Sequence, residues 1–377
     1  MTTQQQWVAG FRAPLVNPAE EIRLAEPRGF GDETIRQVVR VAGGGSRLRV
    51  RLTNRYSAEE LVLGAVRIAV RAAGSAIVRE TDTPVLFDGS AQAKVAAYGD
   101  IVSDPVELAV PAGAELAVSL YLPERTGFPA FAHMPVETGW IVDGDRTGDA
   151  ALPDAEETTS RFFLTGIDVL VDGDAPVLVA FGDSWFEGVG STHGANRRSV
   201  DRLNARLEHG WAVNQGIGGN RLLTDQVGEH GLSRFERDVL SVPGVRAVWA
   251  NFGINDLILG ETTATAADMI AGYTELARRA HDAGLPIYIN TIGPFAGAIY
   301  PGLNVAEGIP VRRELNAWLR TTDVFDAVFD VAAAVEDPDR PDFIRPEFDS
   351  DGMHLDDDGH RAIAESVNLA LVAAALH

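Results

Sequence analysis

The stretch VLVAFGDSWFEGVGST, Val177 to Thr192, decides the fold. It begins as an unbroken apolar run, Val177 to Phe181, and breaks at Gly182-Asp183-Ser184. A short apolar run closed by a turn reads as a strand buried on both faces, as in a parallel sheet. The serine at its tip fits a helix N-cap, a phosphate ligand or a nucleophile. The rest of the chain has to choose.

Downstream, the segments Ala212–Gln215, Ala247–Asn251, Ile287–Asn290 and Phe325–Val331 read as further strands, separated by helical patterns. In AADMIAGYTELARRAHDAG the residues Met269, Ile270, Tyr273, Leu276 and Ala277 recur at helical spacing, and Gly284 supplies the stop. Strand–helix alternation of this length predicts a mostly parallel sheet covered on both faces. In such sheets the chemistry gathers at the C-terminal ends of the strands.

Upstream the pattern changes to period two. In SRLRVRLTN the residues Leu48, Val50 and Leu52 alternate with Arg47, Arg49 and Arg51, as in a half-buried strand. AGGGS, Ala42 to Ser46, separates it from the run Ile35–Val41 and predicts a hairpin. AELAVSLYL repeats the alternation through Leu116, Val118, Leu120 and Leu122. The expectation is an all-β sandwich or jelly roll over residues 1–165 and an α/β domain over residues 166–377. The polar stretch DGDRTGDAALPDAEETTS reads as the linker between them.

A chain of 377 residues exceeds one ordinary core, which agrees with two domains. A net charge of −22 argues against nucleic acid and against anionic membrane surfaces. No stretch is apolar for long enough to span a bilayer, and stable membrane association is not expected. The chain has no cysteine, which excludes disulfides and thiolate chemistry. MTTQQQWVAGFRAP carries neither a basic leader nor an apolar core, so the expected location is cytoplasmic, with secretion after loss of a leader as the alternative.

Four short motifs fall where strand ends are expected: Gly182-Asp183-Ser184, NQGIGGNR from Asn214 to Arg221, NFGINDL from Asn251 to Leu257, and DSDGMHLDDDGH from Asp349 to His360. Each has an ordinary reading as a cap or turn, and Asp356 to Asp358 fit the acidic first turn of a last helix. Together they form a set. Acyl transfer by serine needs a base for the hydroxyl proton, an acid to orient that base, and donors for the oxyanion. Asp351 and His354 are close enough for one loop to present both; Gly219 can offer an unobstructed N–H and Asn255 an amide. A helix beginning at Ser184 would add a favourable field.

These blocks resemble those of the SGNH hydrolases, also called the GDSL esterase/lipase superfamily. The matching residues are Gly182-Asp183-Ser184, Gly219, Gly253-x-Asn255-Asp256 and Asp351-x-x-His354, over about residues 175–377. The front part is similar to the β-rich domain that precedes the hydrolase in one bacterial branch. The resemblance implies a flavodoxin-like three-layer α/β/α sandwich. It implies Ser184 as nucleophile, His354 as base, Asp351 as its orienting acid, and an oxyanion hole from the Ser184 and Gly219 N–H groups and the Asn255 side chain. No cofactor or metal is implied. The implied activity is hydrolysis of carboxylic esters; the lack of an amphipathic segment to dock on lipid and the strongly negative charge favour short-chain or acetyl esters, carbohydrate esters among them, with lipase, lysophospholipase, thioesterase or acyltransferase activity as the alternative. A homo-oligomer stays open.

The chain departs from the usual pattern after the serine, where Trp185 and Phe186 replace an aliphatic and a small hydroxyl residue. They are candidate pocket residues, with packing under the first helix as the other reading. GPFAGAIYPG, Gly293 to Gly302, is long enough to act as a lid or specificity loop, and adds Phe295 and Tyr300 to the pocket candidates.

Three rivals fail on the residues. An α/β-hydrolase would show Gly-x-Ser-x-Gly, a dinucleotide site Gly-x-Gly-x-x-Gly after a strand, and a metal site clustered ligands. A non-catalytic carbohydrate-binding protein on the same fold would be expected to have lost one of Ser184, His354 or Asn255.

Overall fold

A computed structural model of the protein describes residues 4–377. The chain divides after Ala175 into two compact units. The division falls ten residues beyond the expected boundary of 165/166, because Leu164–Asp172 is an inner strand of the first unit, paired with Gln5–Arg12 on one side and Leu48–Thr53 on the other.

The first unit holds two main antiparallel sheets. One runs in the order Gln5–Arg12, Leu164–Asp172, Leu48–Thr53, Asp100–Val102. The other runs Glu156–Thr158, Gly139–Asp143, Glu33–Arg40, Glu115–Leu122, Ala65–Ala73, Ala76–Ile77, with Thr83–Pro84 also on Ala65–Ala73. The alternation read from SRLRVRLTN is present: Leu48, Val50 and Leu52 are fully buried, and the arginines between them reach towards solvent.

Two local expectations fail here. The hairpin across Ala42–Ser46 does not form, since Glu33–Arg40 and Leu48–Thr53 lie in different sheets. The segment instead crosses between sheets, with Ala42 N–H donating to the Gly10 carbonyl, Gly45 N–H to Val110 and Ser46 N–H to Leu170. Nor is 143–160 a linker. Its carbonyls at Thr147 and Asp149 accept from the fully buried Arg36 guanidinium at 3.1 and 2.7 Å, and Leu152 packs on Val38 and Trp140. A cation inside a sheet needs acceptors, and the polar loop supplies them.

The second unit is built on five parallel strands in the spatial order Trp211–Gly216, Val177–Gly182, Val245–Asn251, Ile287–Asn290, Ala327–Phe329. Numbered along the chain this is 2-1-3-4-5, the flavodoxin-like order. Val177–Gly182 is buried at every position, as its unbroken apolar run requires. The helices pack in two groups. Ala266–Asp282 contacts Gly231–Phe235 and Val305–Leu319, whereas Asp357–Ser366 contacts Ser199–Asn204 and Val331–Val335.

The expected helix in AADMIAGYTELARRAHDAG is Ala266–Asp282, with Met269, Tyr273, Leu276 and Ala277 on its buried face. The last strand is shorter than Phe325–Val331 because Asp330 caps a helix that starts at Val331. A further helix, Leu369–Ala375, follows Asp357–Ser366.

Candidate active site

The order 2-1-3-4-5 reverses direction between the first and third strands of the domain, and a crevice is expected at their C-terminal ends. Gly182-Asp183-Ser184 leaves the first strand and Gly253-Ile254-Asn255-Asp256 leaves the third. The candidate residues fall on both sides of that point.

Asp183, not Ser184, caps the turn: its carboxylate accepts from the Trp185 N–H at 3.1 Å. The helix that follows is one turn, Ser184–Glu187, ended by Gly188 in the left-handed region. It is too short to carry much of a macrodipole, so a strong helix field on Ser184 is not available. Capping by its neighbour leaves the Ser184 hydroxyl free for another partner.

That partner is His354. Its Nε2 lies 3.1 Å from Ser184 Oγ and its Nδ1 lies 2.7 Å from Asp351 Oδ2. An ionised carboxylate only accepts, so Nδ1 carries the proton and Nε2 is left to accept from the serine. Asp351 is held by its own loop, with Oδ1 accepting from the Met353 and His354 N–H groups at 3.1 and 2.8 Å. Although partial burial acts against ionisation, the hydrogen bonds from His354 and Tyr300 keep its carboxyl well below the usual range.

Across the crevice, Gly219 sits at φ +77°, and a Cβ there would come within 2.9 Å of Val227. The left-handed backbone and the tight wall both require glycine. Asn255 is buried and donates one amide hydrogen to the Asn220 carbonyl at 2.9 Å. An amide has two. The bond to Asn220 uses one of them.

The family model of the GDSL-like lipase/acylhydrolase family matches residues 180–362, which contain all of these groups. The second unit is a GDSL-like acylhydrolase domain. The protein is thus a hydrolase. Among solved structures, a putative arylesterase from Agrobacterium tumefaciens str. C58 is 20% identical with a TM-score of 0.40, over 52% of this chain and 99% of that one. Est24, a carbohydrate acetylesterase from Sinorhizobium meliloti, is 15% identical with a TM-score of 0.44, over 53% of this chain and 99% of that one. The native aryl esterase of M. smegmatis is 19% identical with a TM-score of 0.44, over 54% of this chain and 100% of that one. No curated protein matches the sequence.

Three of the four pocket candidates are core residues of the acylhydrolase domain. Phe186 and Phe295 are fully buried and Trp185 is 1% exposed. In a single turn that must pack on the sheet, the residues after the serine face inward. Phe186 lies against Trp249 with ring centroids 4.4 Å apart. Trp185 is boxed in by Gly293, where any Cβ would collide with its ring, and its indole N–H donates to the Met353 carbonyl at 2.9 Å. Trp185 therefore supports the histidine loop from behind. Tyr300 alone is exposed beside the site, with its hydroxyl 2.7 Å from Asp351 Oδ2.

The acylhydrolase domain also uses an arginine that the sequence reading passed over. Arg234 is fully buried and donates to the carbonyls of Gly182 and Gln215 at 2.8 and 2.9 Å and to Asn220 Oδ1 at 3.0 Å. It lies over the Phe181 ring, pairs with Asp238, and burial lowers it to about 10. It joins two strand ends to the loop that carries Gly219. Asp256 accepts from the Leu222 and Leu223 N–H groups, and burial pushes it up to about 6.

A second buried chain runs across the strand ends. Trp249 donates to Asn290, Asn290 to Asn251 and Asn251 to Asp183, at 2.7, 2.9 and 2.8 Å. Burial pushes Asp183 up to about 7, and its Oδ2 has no partner. The visible signal was polar residues closing apolar strands, at Asn251 and Asn290; Arg234 carried none. His360 is buried against Ser199 Oγ at 2.7 Å and lowered to about 4 by burial. Among the described residues, no cluster of His, Asp and Glu could hold a metal. No helix among them is long and apolar enough to cross a membrane.

Proposed function

We propose that the protein is a serine esterase acting on carboxylic esters with small acyl groups, acetylated carbohydrates included. The observation that carries this is the unbroken line from Asp351 through His354 to Ser184, at 2.7 and 3.1 Å. Ser184 Oγ attacks the ester carbonyl as its proton passes to His354 Nε2, and Asp351 stabilises the resulting imidazolium. The oxyanion is met by the N–H groups of Ser184 and Gly219 and the free amide hydrogen of Asn255. Collapse expels the alcohol, protonated by His354, and leaves acyl-Ser184. Water, deprotonated by the same imidazole, then attacks the acyl-enzyme and releases the acid.

The small acyl group is inferred from the confined surroundings of the nucleophile. Ser184 is only 4% exposed and His354 only 7%. Val227 stands directly against Gly219. The strongly negative net charge disfavours polyanionic substrates.

The test is hydrolysis of p-nitrophenyl esters from acetate to palmitate, with Ser184→Ala beside the wild type. Turnover confined to short chains and reduced by at least about 10⁴-fold in the variant is expected. Near-full activity in folded Ser184→Ala would remove the reading. A profile rising towards palmitate would replace the small-acyl esterase with a lipase-type acylhydrolase.

A further inference from the structure

Tyr300 stands in the loop Gly293–Gly302, whose first half is fixed. Phe295 is buried in the core, and Ala296 N–H donates to the Asp342 carbonyl at 2.9 Å. Beyond that anchor the chain emerges: Ile299 is 73% exposed and Tyr300 is 46% exposed. A tyrosine that is half in water can hydrogen-bond to solvent instead of to a protein partner. Its hydroxyl nevertheless lies 2.7 Å from Asp351 Oδ2, the same oxygen that accepts His354 Nδ1–H at 2.7 Å. The Tyr300 ring stands edge-on to the imidazole, with centroids 6.3 Å apart and planes at 75°.

The carboxylate thus takes two donors on each oxygen, the backbone N–H groups on Oδ1 and the Tyr300 and His354 donors on Oδ2. The backbone pair alone fixes only one end of it. A donor on Oδ2 from outside the Asp351–His354 loop sets the rotation of the carboxylate plane. It also divides the charge on that oxygen between two hydrogen bonds. Burial and the nearby Asp351 charge push the Tyr300 hydroxyl up to about 12, so it remains a donor at neutral pH.

We propose that Tyr300 is a positioning residue for the acyl-transfer site, orienting the Asp351 carboxylate and tempering its hold on the His354 Nδ1 proton. The proposal rests on the reading of Ser184, His354 and Asp351 as the working triad. Tyr300 acts through Asp351, whose Oδ2 its hydroxyl meets at 2.7 Å. The aromatic ring is not the active part; the hydroxyl is.

The experiment uses Tyr300→Phe, which keeps the ring, and Ile299→Ala as a control in the same exposed loop. In the free enzyme, proton NMR reads the low-field resonance of the His354 Nδ1–H shared with Asp351. Loss of the competing donor makes Oδ2 the stronger acceptor, so the resonance moves downfield in Tyr300→Phe and stays in place in Ile299→Ala. In ester hydrolysis, kcat falls about tenfold in Tyr300→Phe while KM changes by less than about twofold, the pattern of an interaction felt in the transition state. A Tyr300→Phe resonance at the wild-type position overturns the proposal, whatever kcat does. The spectrum needs no substrate, so that failure is distinct from failure of the esterase reading, which Ser184→Ala decides.

Discussion

The two units each bury a carboxylate, and they treat it in opposite ways. In the antiparallel unit, Asp168 is fully buried in the strand Leu164–Asp172, and two arginines close on it. Arg51 Nε lies 3.0 and 2.9 Å from its two oxygens, and buried Arg12 bonds to it as well. In the acylhydrolase domain, Asp183 is equally buried but receives only neutral donors, the Trp185 N–H and the Asn251 amide, with one oxygen unpartnered. Asp168 lies in the middle of a sheet and serves packing. Asp183 stands at a strand tip beside Ser184, where burial pushes it up to about 7. A buried charge that is neutralised marks structure; one left short of partners marks a site where local geometry outweighs local stability.

The largest effect that sharpens this contrast belongs to the structural carboxylate. Asp168→Ala strands the Arg12 guanidinium in the core and is expected to lower stability by about 3–5 kcal/mol, measured by urea unfolding. The folded enzyme should keep its kcat within about twofold. A loss below about 1 kcal/mol would mean that water reaches Arg12 and the contrast is overdrawn.

Next comes Asn255→Ala. It removes the proposed side-chain oxyanion donor and should lower kcat by about 10²–10³-fold, roughly 2.7–4 kcal/mol of barrier. Its effect on unfolding should be small beside that of Asp168→Ala. A variant with wild-type kcat would take Asn255 out of the oxyanion hole.

The smallest effect is a pH slope. Folded Asp183, raised to about 7, and Asp256, raised to about 6, hold protons that the unfolded chain releases near 4. The native state binds more protons at these two groups in that window, so their contribution to stability is full below about pH 4 and is lost as pH rises through 6 and 7. Asp183→Asn cannot ionise and should flatten the Tm profile between about pH 4 and 7, a difference on the order of 1–3 kcal/mol. An unchanged slope would show that Asp183 is ionised and balanced.

The contrast also explains what could be read from the sequence. The strand tips were legible because a strand buried on both faces is a continuous apolar run, and such a run ends where the chain must turn. Ser184, Gly219, Asn255, Asp351 and His354 follow those ends directly or lie in a loop with fixed internal spacing. Partner choice was not legible. The glycines of Ala42–Ser46 permit a hairpin or a crossing between sheets equally, and only the register with Val110 and Leu170 decides. Composition could not reveal that the polar segment 143–160 is held by Arg36. Side-chain direction was lost for the same reason: aromatic residues beside a nucleophile look alike whether they line a pocket or, like Trp185, Phe186 and Phe295, fill the floor beneath it. Tyr300 could be placed near the site by its loop, but its bond to Asp351 depended on the fold.

Trp185 gives the floor a further meaning. The ring is fixed at one end by its peptide neighbour Ser184 and at the other by the Met353 carbonyl, while Gly293 leaves it no lateral play. Ser184 and His354 are 170 residues apart in sequence, and the Trp185 indole lies between the Ser184 backbone and the loop that carries His354. A shorter side chain at 185 would alter the distance between Ser184 and His354, and a hydrogen bond of 3.1 Å lengthened by an ångström is no hydrogen bond. Position 185, although its side chain is buried, then bears on that distance.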